Sequence, residues 1–569
     1  MKALRLDSKK KEKELFRKAE IQLSIGMIVK DEEATLDQCL SSLLPLLDSI
    51  SSELIITDTG SCDHTVEIAK KYTDHIIHYE WCDDFSDARN TGLREARGEW
   101  FMFLDGDEWF ENVTPIIDFF RSGECDRYGT ASYKQRNYSD QSGERYSDFS
   151  AHRLYRFFPG IRFENKVHEN ICGRGQLKFL DAYVHHFGYV YKNHEEQEKK
   201  FLRNAGILEN TLKEDPNNLR AIWELANEYS AVGKIEKAIE LDEQGIELEK
   251  DHPDWNYKVS LQHDLLKGYF TSEAYQKYLD TLESILALHE HEEIDYLDFY
   301  FWGTASAFKL KQSSKVVLLG QKYLEIYEKY QEHKLNTGRL LLRSFCGTEP
   351  ESKEEMLRLI AWGYLFQNKQ EDAIAYFKKL DLSVTHWNII GTHSLCFAIV
   401  WFSKNWDLIA ELYDKVLSSG SDKKKQESID CIEEHIKRSP GLRFDTYLTL
   451  SKMERNDNYI HLCRLRCAEE LGEQDTALEC LKWFSEHQTD GDIRFSEVAY
   501  FAAKEKIRLL PFVCGIKDFH GYMESILTQH SDFLSILTSY FESFPSDITK
   551  GMFIPFLTGE KLSQNPDCQ

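Results

Sequence analysis

Short apolar runs alternate with amphipathic stretches through the first third of the chain. Leu23 to Val29, Leu54 to Thr57, His75 to Tyr79 and Trp100 to Leu104 read as buried strands. Between them, Leu36, Leu40, Leu43 and Leu44 mark one helix, and Thr65 to Tyr72 and Ser86 to Ala96 mark two more. This alternation predicts a doubly wound α/β domain over residues 21–195. In such sheets a ligand sits beyond the carboxyl ends of the strands, where strand order reverses. Three of the four strands end in acid: Val29 leads to Asp31 and Glu32, Thr57 to Asp58, and Leu104 to Asp105 and Asp107.

Beyond about His194 the strand signal disappears, and residues 196–569 read as helical, with a subdivision expected near residue 350. The stretch after Asp215-Pro216-Asn217-Asn218 carries Trp223, Leu225, Ala226, Tyr229, Gly233, Ala238 and Ile239. Small and large residues at these offsets resemble a tetratricopeptide repeat, whose period is ~34 residues. Weaker copies run from Trp362 to Phe377 and from Ala468 to Leu481. Residues 1–20 read as a Lys-rich amphipathic helical extension without the apolar core of a secretory signal.

Composition narrows the classes. At 569 residues the chain needs several cores, and 42% hydrophobic with 29% charged residues describes a soluble globular protein. No run approaches the ~18 to 20 apolar residues of a membrane span, so a cytoplasmic location without an integral membrane segment is expected. Thirteen cysteines without a paired framework point to reduced thiols. Cys463 and Cys467 suit packing within a helix, and the run from His289 to Glu293 suits a solvated loop. A formal charge of −26 argues against a nucleic-acid partner, whose phosphates are bound by an excess of Lys and Arg.

The acids at the strand ends carry the chemistry. Carboxylates gathered on one sheet edge repel one another unless a cation or hydrogen-bond donors offset the cost. In Asp105-Gly106-Asp107 two such groups flank a glycine, and hard oxygen ligands of this kind suit Mg²⁺ or Mn²⁺ shared with substrate phosphates. A dinucleotide fingerprint and a P-loop are both missing, so phosphates would need another holder, and a metal on Asp107 fills that role.

Four ordered motifs then resemble a family. Ile28-Val29-Lys30-Asp31-Glu32-Glu33, Ile56-Thr57-Asp58-Thr59-Gly60-Ser61, Asp84 to Asn90, and Asp105-Gly106-Asp107-Glu108 are similar to the family 2 glycosyltransferases, which have the nucleotide-sugar-binding GT-A fold. Val167-His168-Glu169 and His186-Phe187-Gly188-Tyr189 resemble the bacterial subgroup that joins this domain to tetratricopeptide helices, as in the sublancin-type S-glycosyltransferases. The resemblance covers roughly Ile21 to Gly245.

The resemblance implies a UDP-sugar donor and roles for particular residues. Asp58 would accept a hydrogen bond from uracil or ribose, or else cap the next helix. Glu32 would frame the base pocket, or only place charge at a helix start. Arg89 and Asn90 would orient the diphosphate and sugar, with a surface ion pair as the other reading of Arg89. Asp105 would contact ribose or a metal-bound water, and Asp107 the metal. His186 would complete the metal shell, although a core histidine, or His185 as the ligand, stays open. An inverting transfer also needs a base opposite the leaving diphosphate; Glu169 is the first candidate and His168 the second, unless the pair only ties a loop to the helices. Asn165 stands where a glycine often precedes Lys-Val-His-Glu, which bears on the loop's backbone.

The expected function is transfer of a hexose or N-acetylhexosamine from a UDP-sugar, with Mg²⁺ or Mn²⁺, to Ser, Thr or Cys of a peptide or protein such as a bacteriocin precursor or flagellin. Helical hairpins form surfaces suited to extended peptides, and the repeats could also pair two copies. A lipid or polysaccharide acceptor, and a noncatalytic repeat scaffold, are the competing readings.

Overall fold

The computed structural model describes residues 20–558 except 139, 141, 144–145, 172, 189, 191–193, 251–254, 288–293, 336–344, 384–387 and 488–492. The expected helical extension, the run from His289 to Glu293, and Tyr189 thus lie outside the described residues. The chain divides into two compact units, Met1–Asp295 with Leu335–Phe345 and Tyr296–Lys334 with Cys346–Gln569.

The first unit is built on four parallel strands, β1 (Leu23–Val29), β2 (Ser52–Asp58), β3 (Ile76–His78) and β4 (Trp100–Phe103). Strand β1 lies between β2 and β4, pairing Leu23 with both Ser52 and Trp100. Every residue of β4 is buried, as in a sheet covered on both faces. Helix α1 (Leu36–Ser49) explains part of that cover: Leu36, Cys39, Leu40, Leu43 and Leu46 share one face at helical spacing and are buried. Helices α2 (Thr65–Ala69) and α3 (Phe85–Glu95) complete the βα units, and the Asp84 carboxylate accepts from the Asp87 amide to cap α3.

The second half of this unit departs from the doubly wound expectation. Strands β5 (Glu108–Phe110), β6 (Thr130–Tyr138), β7 (Tyr146–Arg156) and β10 (Leu177–His186) extend the same sheet in the order β3-β2-β1-β4-β7-β6-β10-β5. Here β7 runs antiparallel to β4 and β6, β10 parallel to β6, and β5 antiparallel to β10. Helix α4 (Thr114–Arg121) packs Phe119 and Phe120 edge-on against Trp100 at 5.4 and 5.9 Å. A two-stranded ribbon of β8 (Phe163–Glu164) and β9 (Asn170–Ile171) frames the segment between them. This mixed, curled sheet is the GT-A-like arrangement the sequence motifs imply.

Five helices finish the unit: α5 (His194–Glu214), α6 (Leu219–Ala231), α7 (Ile235–Glu249), α8 (Trp255–Thr271) and α9 (Tyr275–Leu286). The Asn218 side chain caps α6 by accepting from the Ala221 amide at 3.0 Å. Gly233, with φ +74°, turns the chain into α7, so the expected hairpin forms at the predicted residues.

In the second unit the two weaker repeats also form hairpins of tetratricopeptide type. Pro350–Phe366 pairs with Gln370–Lys378, and Asn458–Leu471 with Gln474–Glu486. Cys463 and Cys467 are buried free thiols on one of these helices. Among the described residues no helix is long and apolar enough to cross a membrane.

Candidate active site

The carboxyl ends of β1, β2 and β4 bring the predicted acids to one edge of the sheet. Asp31, with φ +55°, turns the chain so that its carboxylate accepts from the Cys62 amide at 2.7 Å. The next amide, of Glu32, donates to Thr65 Oγ1 at 2.7 Å. Asp58 is buried at the end of β2; Oδ1 accepts from the Ser61 amide at 3.0 Å, and Oδ2 stands 3.3 Å from His78 Nδ1. One of its oxygens therefore closes a turn.

Asp105 sits in a buried ion-pair network. Its Oδ1 accepts from Arg89 Nη2 at 2.5 Å and its Oδ2 from Arg153 Nη2 at 3.1 Å. Arg153 also reaches Glu108 at 2.9 Å, and Arg89 Nε donates to Glu169 at 2.5 Å. Both guanidiniums lie over the Phe103 ring, at 5.1 and 4.5 Å. Burial would raise the Asp105 pKa, yet the two guanidiniums hold it well below the usual carboxylate range. Glu108 is pushed up to about 7 by burial, against the pull of Arg153. Arg89 is thus no surface ion pair: its side chain is 7% exposed and it joins the strand end to the Val-His-Glu segment.

Asp107 is arranged differently. Its Oδ2 lies 3.5 Å from His186 Nε2, at the end of β10. Asn137 Oδ1 accepts from Gln135 Nε2 at 3.1 Å and stands 2.6 Å from His186 Nδ1. Gln135 Nε2 also lies 3.1 Å from His186 Nδ1, so both amide side chains meet the ring edge opposite Asp107. Burial works against protonation of His186, but the Asp107 hydrogen bond and charge outweigh it and raise its pKa. The neighbouring His185 has its Nδ1 2.7 Å from the Tyr138 hydroxyl and stacks on Trp109, away from this pair.

Gly188 lies directly against both groups. A Cβ there would come within 2.4 Å of His186 Nε2 and 2.6 Å of Asp107 Oδ2. Glu32 adds charge beside them, its Cγ 3.1 Å from where a Gly106 Cβ would stand. Its pKa is raised to about 7, first by burial and then by the Asp107 carboxylate. Among the described residues no group of three or more His, Cys, Asp or Glu side chains is placed to hold a metal ion. The donor set nevertheless fits a shared site: one carboxylate and one imidazole, with the Glu32 carboxyl close by, suit a divalent cation that takes its remaining ligands from substrate phosphates.

The Val-His-Glu segment is pinned between α3 and the helices. The Phe85 amide donates to Lys166 O at 2.9 Å, and the Ser86 hydroxyl to Asn165 O at 2.5 Å. Asn165 and His168 have φ of +79° and +50°; an asparagine thus adopts the backbone for which glycine is common. Val167 is buried against Phe201, Ala205 and Leu208 of α5. His168 Nε2 reaches Glu228 of α6 at 3.3 Å, and Arg220 donates to the His168 carbonyl at 2.7 Å. Partial burial opposes protonation of His168, but Glu228 and Glu224 outweigh it and raise its pKa.

The structure therefore brings together Glu32, Arg89, Asp105, Asp107, Glu169 and His186, with Asp58 at the adjacent strand end. His168 faces α6. Asn90 engages both ends of its amide with the Phe163 backbone, at 2.8 and 3.0 Å, which makes it a clip between α3 and β8. Arg153, Gln135 and Asn137 were not anticipated. They lie in β6 and β7, where polar residues among the strand positions leave no motif to read.

Comparison with known proteins agrees with this geometry. Residues 24–179 match the family described as Glycosyl transferase family 2. A TPR repeat-containing protein of Synechococcus elongatus is 38% identical over 149 residues, covering 26% of this chain and 35% of that protein. The SPbeta prophage-derived glycosyltransferase SunS of Bacillus subtilis is 30% identical over 232 residues, covering 38% of this chain and 51% of the relative. The chain thus spans about half or less of the length of these relatives. Among solved structures, S. aureus TarS aligns over 45% of this chain and 54% of its own, at 14% identity and a TM-score of 0.27. The chain carries a family 2 glycosyltransferase domain joined to helical repeats of tetratricopeptide type, distantly related to SunS-type enzymes.

Proposed function

We propose that the protein is a metal-dependent, inverting glycosyltransferase that moves a hexose or N-acetylhexosamine from a UDP-sugar to a Ser, Thr or Cys side chain of a peptide or protein. The observation that carries this reading is the Asp107–His186 pair at a strand-end edge, with Gly188 packed so close that any side chain there would collide with both groups. Glu32 and Asp58 would face the nucleoside, and Arg89 would fix Asp105 beside it. Asp107 and His186 would hold a divalent cation, which would supply charge neutralisation for the departing diphosphate.

Glu169 is the proposed base. Its Oε1 is bound to Arg89, while among the described residues Oε2 has no hydrogen-bond partner, so one oxygen stays available to an acceptor proton. His168, half-exposed and held by Glu228, is the second candidate. The surrounding helices favour a polypeptide acceptor, since α5 and α6 pack directly on the segment that holds both groups.

The test is mass spectrometry of Ser-, Thr- and Cys-containing peptides after incubation with the protein, a UDP-sugar panel and Mn²⁺. A mass increase of one hexose or N-acetylhexosamine on a peptide, lost in Glu169→Gln, is the expected result. Unmodified peptides alongside a glycosylated lipid or polysaccharide would transfer the account to that acceptor class.

A further inference from the structure

The helices that follow the sheet contribute a cation to the edge where Asp107 and His186 meet. Lys200 lies on α5, and its Nζ is 3.4 Å from the carbonyl oxygen of Gly188. That is the residue at which an added Cβ would collide with Asp107 Oδ2 and His186 Nε2. Lys200 is half-buried, whereas its neighbour Lys199 is 75% exposed and pairs with Glu195 on the outer face of the helix.

The helix is fixed in this orientation from several sides. Phe201, Ala205 and Leu208 bury their side chains with Val167, and Trp81 and Phe85 pack on the same cluster. Asn204, one turn from Lys200 and on the same face, donates to Glu228 at 2.9 Å, and Glu228 also holds His168. Arg203 lies 5.0 Å over the Phe85 ring. Burial lowers the Lys200 pKa, while the Asp107, Glu228 and Asp105 carboxylates act in the opposite sense.

We propose that Lys200 binds the diphosphate oxygens of the nucleotide donor, so that the first repeat-region helix completes the donor site of the sheet domain. The proposal rests on the nucleotide-sugar reading above. An ammonium on a four-carbon stem suits a phosphate oxygen as a point charge, and its place at Gly188 O sets it next to the residue that packs against the Asp107–His186 pair. The packing of α5 on the Val-His-Glu segment holds this half-buried cation in place near Asp107.

The experiment is calorimetric titration of the full chain with UDP, and with uridine as a probe lacking phosphates, in the presence of Mn²⁺. Lys200→Met is expected to weaken UDP about tenfold or more and to leave uridine unchanged, with Lys200→Arg retaining most of the affinity. Lys199→Met is the control and should match the parent. Thermal melts within a few degrees of the parent would show that the variants fold; should Lys200→Met fail to fold, Lys200→Gln takes its place. UDP affinity within twofold of the parent in the folded variant would overturn the role of Lys200 while leaving the donor reading intact. A parent protein that binds neither UDP nor UDP-sugars would remove the donor reading and this proposal with it.

Discussion

Gly188 and Arg153 separate two demands on the same few side chains. Gly188 matters because of what stands next to it: a methyl group there would lie inside contact distance of both His186 Nε2 and Asp107 Oδ2. Gly188→Ala is expected to keep the fold and to lower Mn²⁺-dependent UDP affinity more than tenfold, measured by titration with and without the metal. Parent-like affinity would show that the close packing at Gly188 does not bear on metal-dependent binding. Arg153 is instead a matter of stability, because it pairs with the buried Glu108 and shares Asp105 with Arg89. Removing one partner of a buried ion pair leaves the other charge unpaired, at a cost of about 3–5 kcal/mol. Arg153→Met should therefore lower the melting temperature clearly, and a melt unchanged from the parent would contradict the network's structural weight.

At the scale of elements, the first four strands and their helices were legible because apolar runs and helical spacing there agree with burial on both faces. The strand-end acids could be read with them, since each follows an apolar run directly. Strands β6 and β7 were not legible: Lys134-Gln135-Arg136-Asn137 and Ser147-Asp148 carry polar side chains on a partly exposed sheet, so the period of two is masked. For that reason Arg153, Asn137 and Gln135 entered the site only with the structure. The tie of the Val-His-Glu segment to α6 was anticipated as one alternative, but its partner, Glu228, lies 60 residues further on and no local pattern points to it.

The second unit offers a pH test at the same scale. His393, on the helix Ile389–Ser403, is fully buried, with Nδ1 2.9 Å from the Ile389 carbonyl and Nε2 2.8 Å from the Ser428 hydroxyl. Burial lowers its pKa from 6.5 to about 4. The unfolded chain then binds the extra proton between those values, so stability is full above pH 6.5 and falls as pH drops toward 4, by about 3 kcal/mol. Melts from pH 7 to pH 4 should show this slope reduced in His393→Gln relative to the parent. An identical slope in the two proteins would contradict the buried neutral imidazole.

For the whole molecule, the central claim is that the family 2 domain transfers sugar from a nucleotide donor at the Asp107–His186 edge. The helices following the sheet are part of that claim, because α5 and α6 hold the segment bearing Glu169. The most direct measurement is UDP release from a panel of UDP-sugars by the full chain, with Mn²⁺ or Mg²⁺, comparing the parent with Asp107→Ala. Loss of about 4 kcal/mol of transition-state stabilisation corresponds to roughly a thousandfold in rate. The account predicts metal-dependent release from at least one donor by the parent and a fall of about that size in the variant. Near-parent turnover by Asp107→Ala, or no release and no metal-dependent UDP binding by the folded parent, would contradict it.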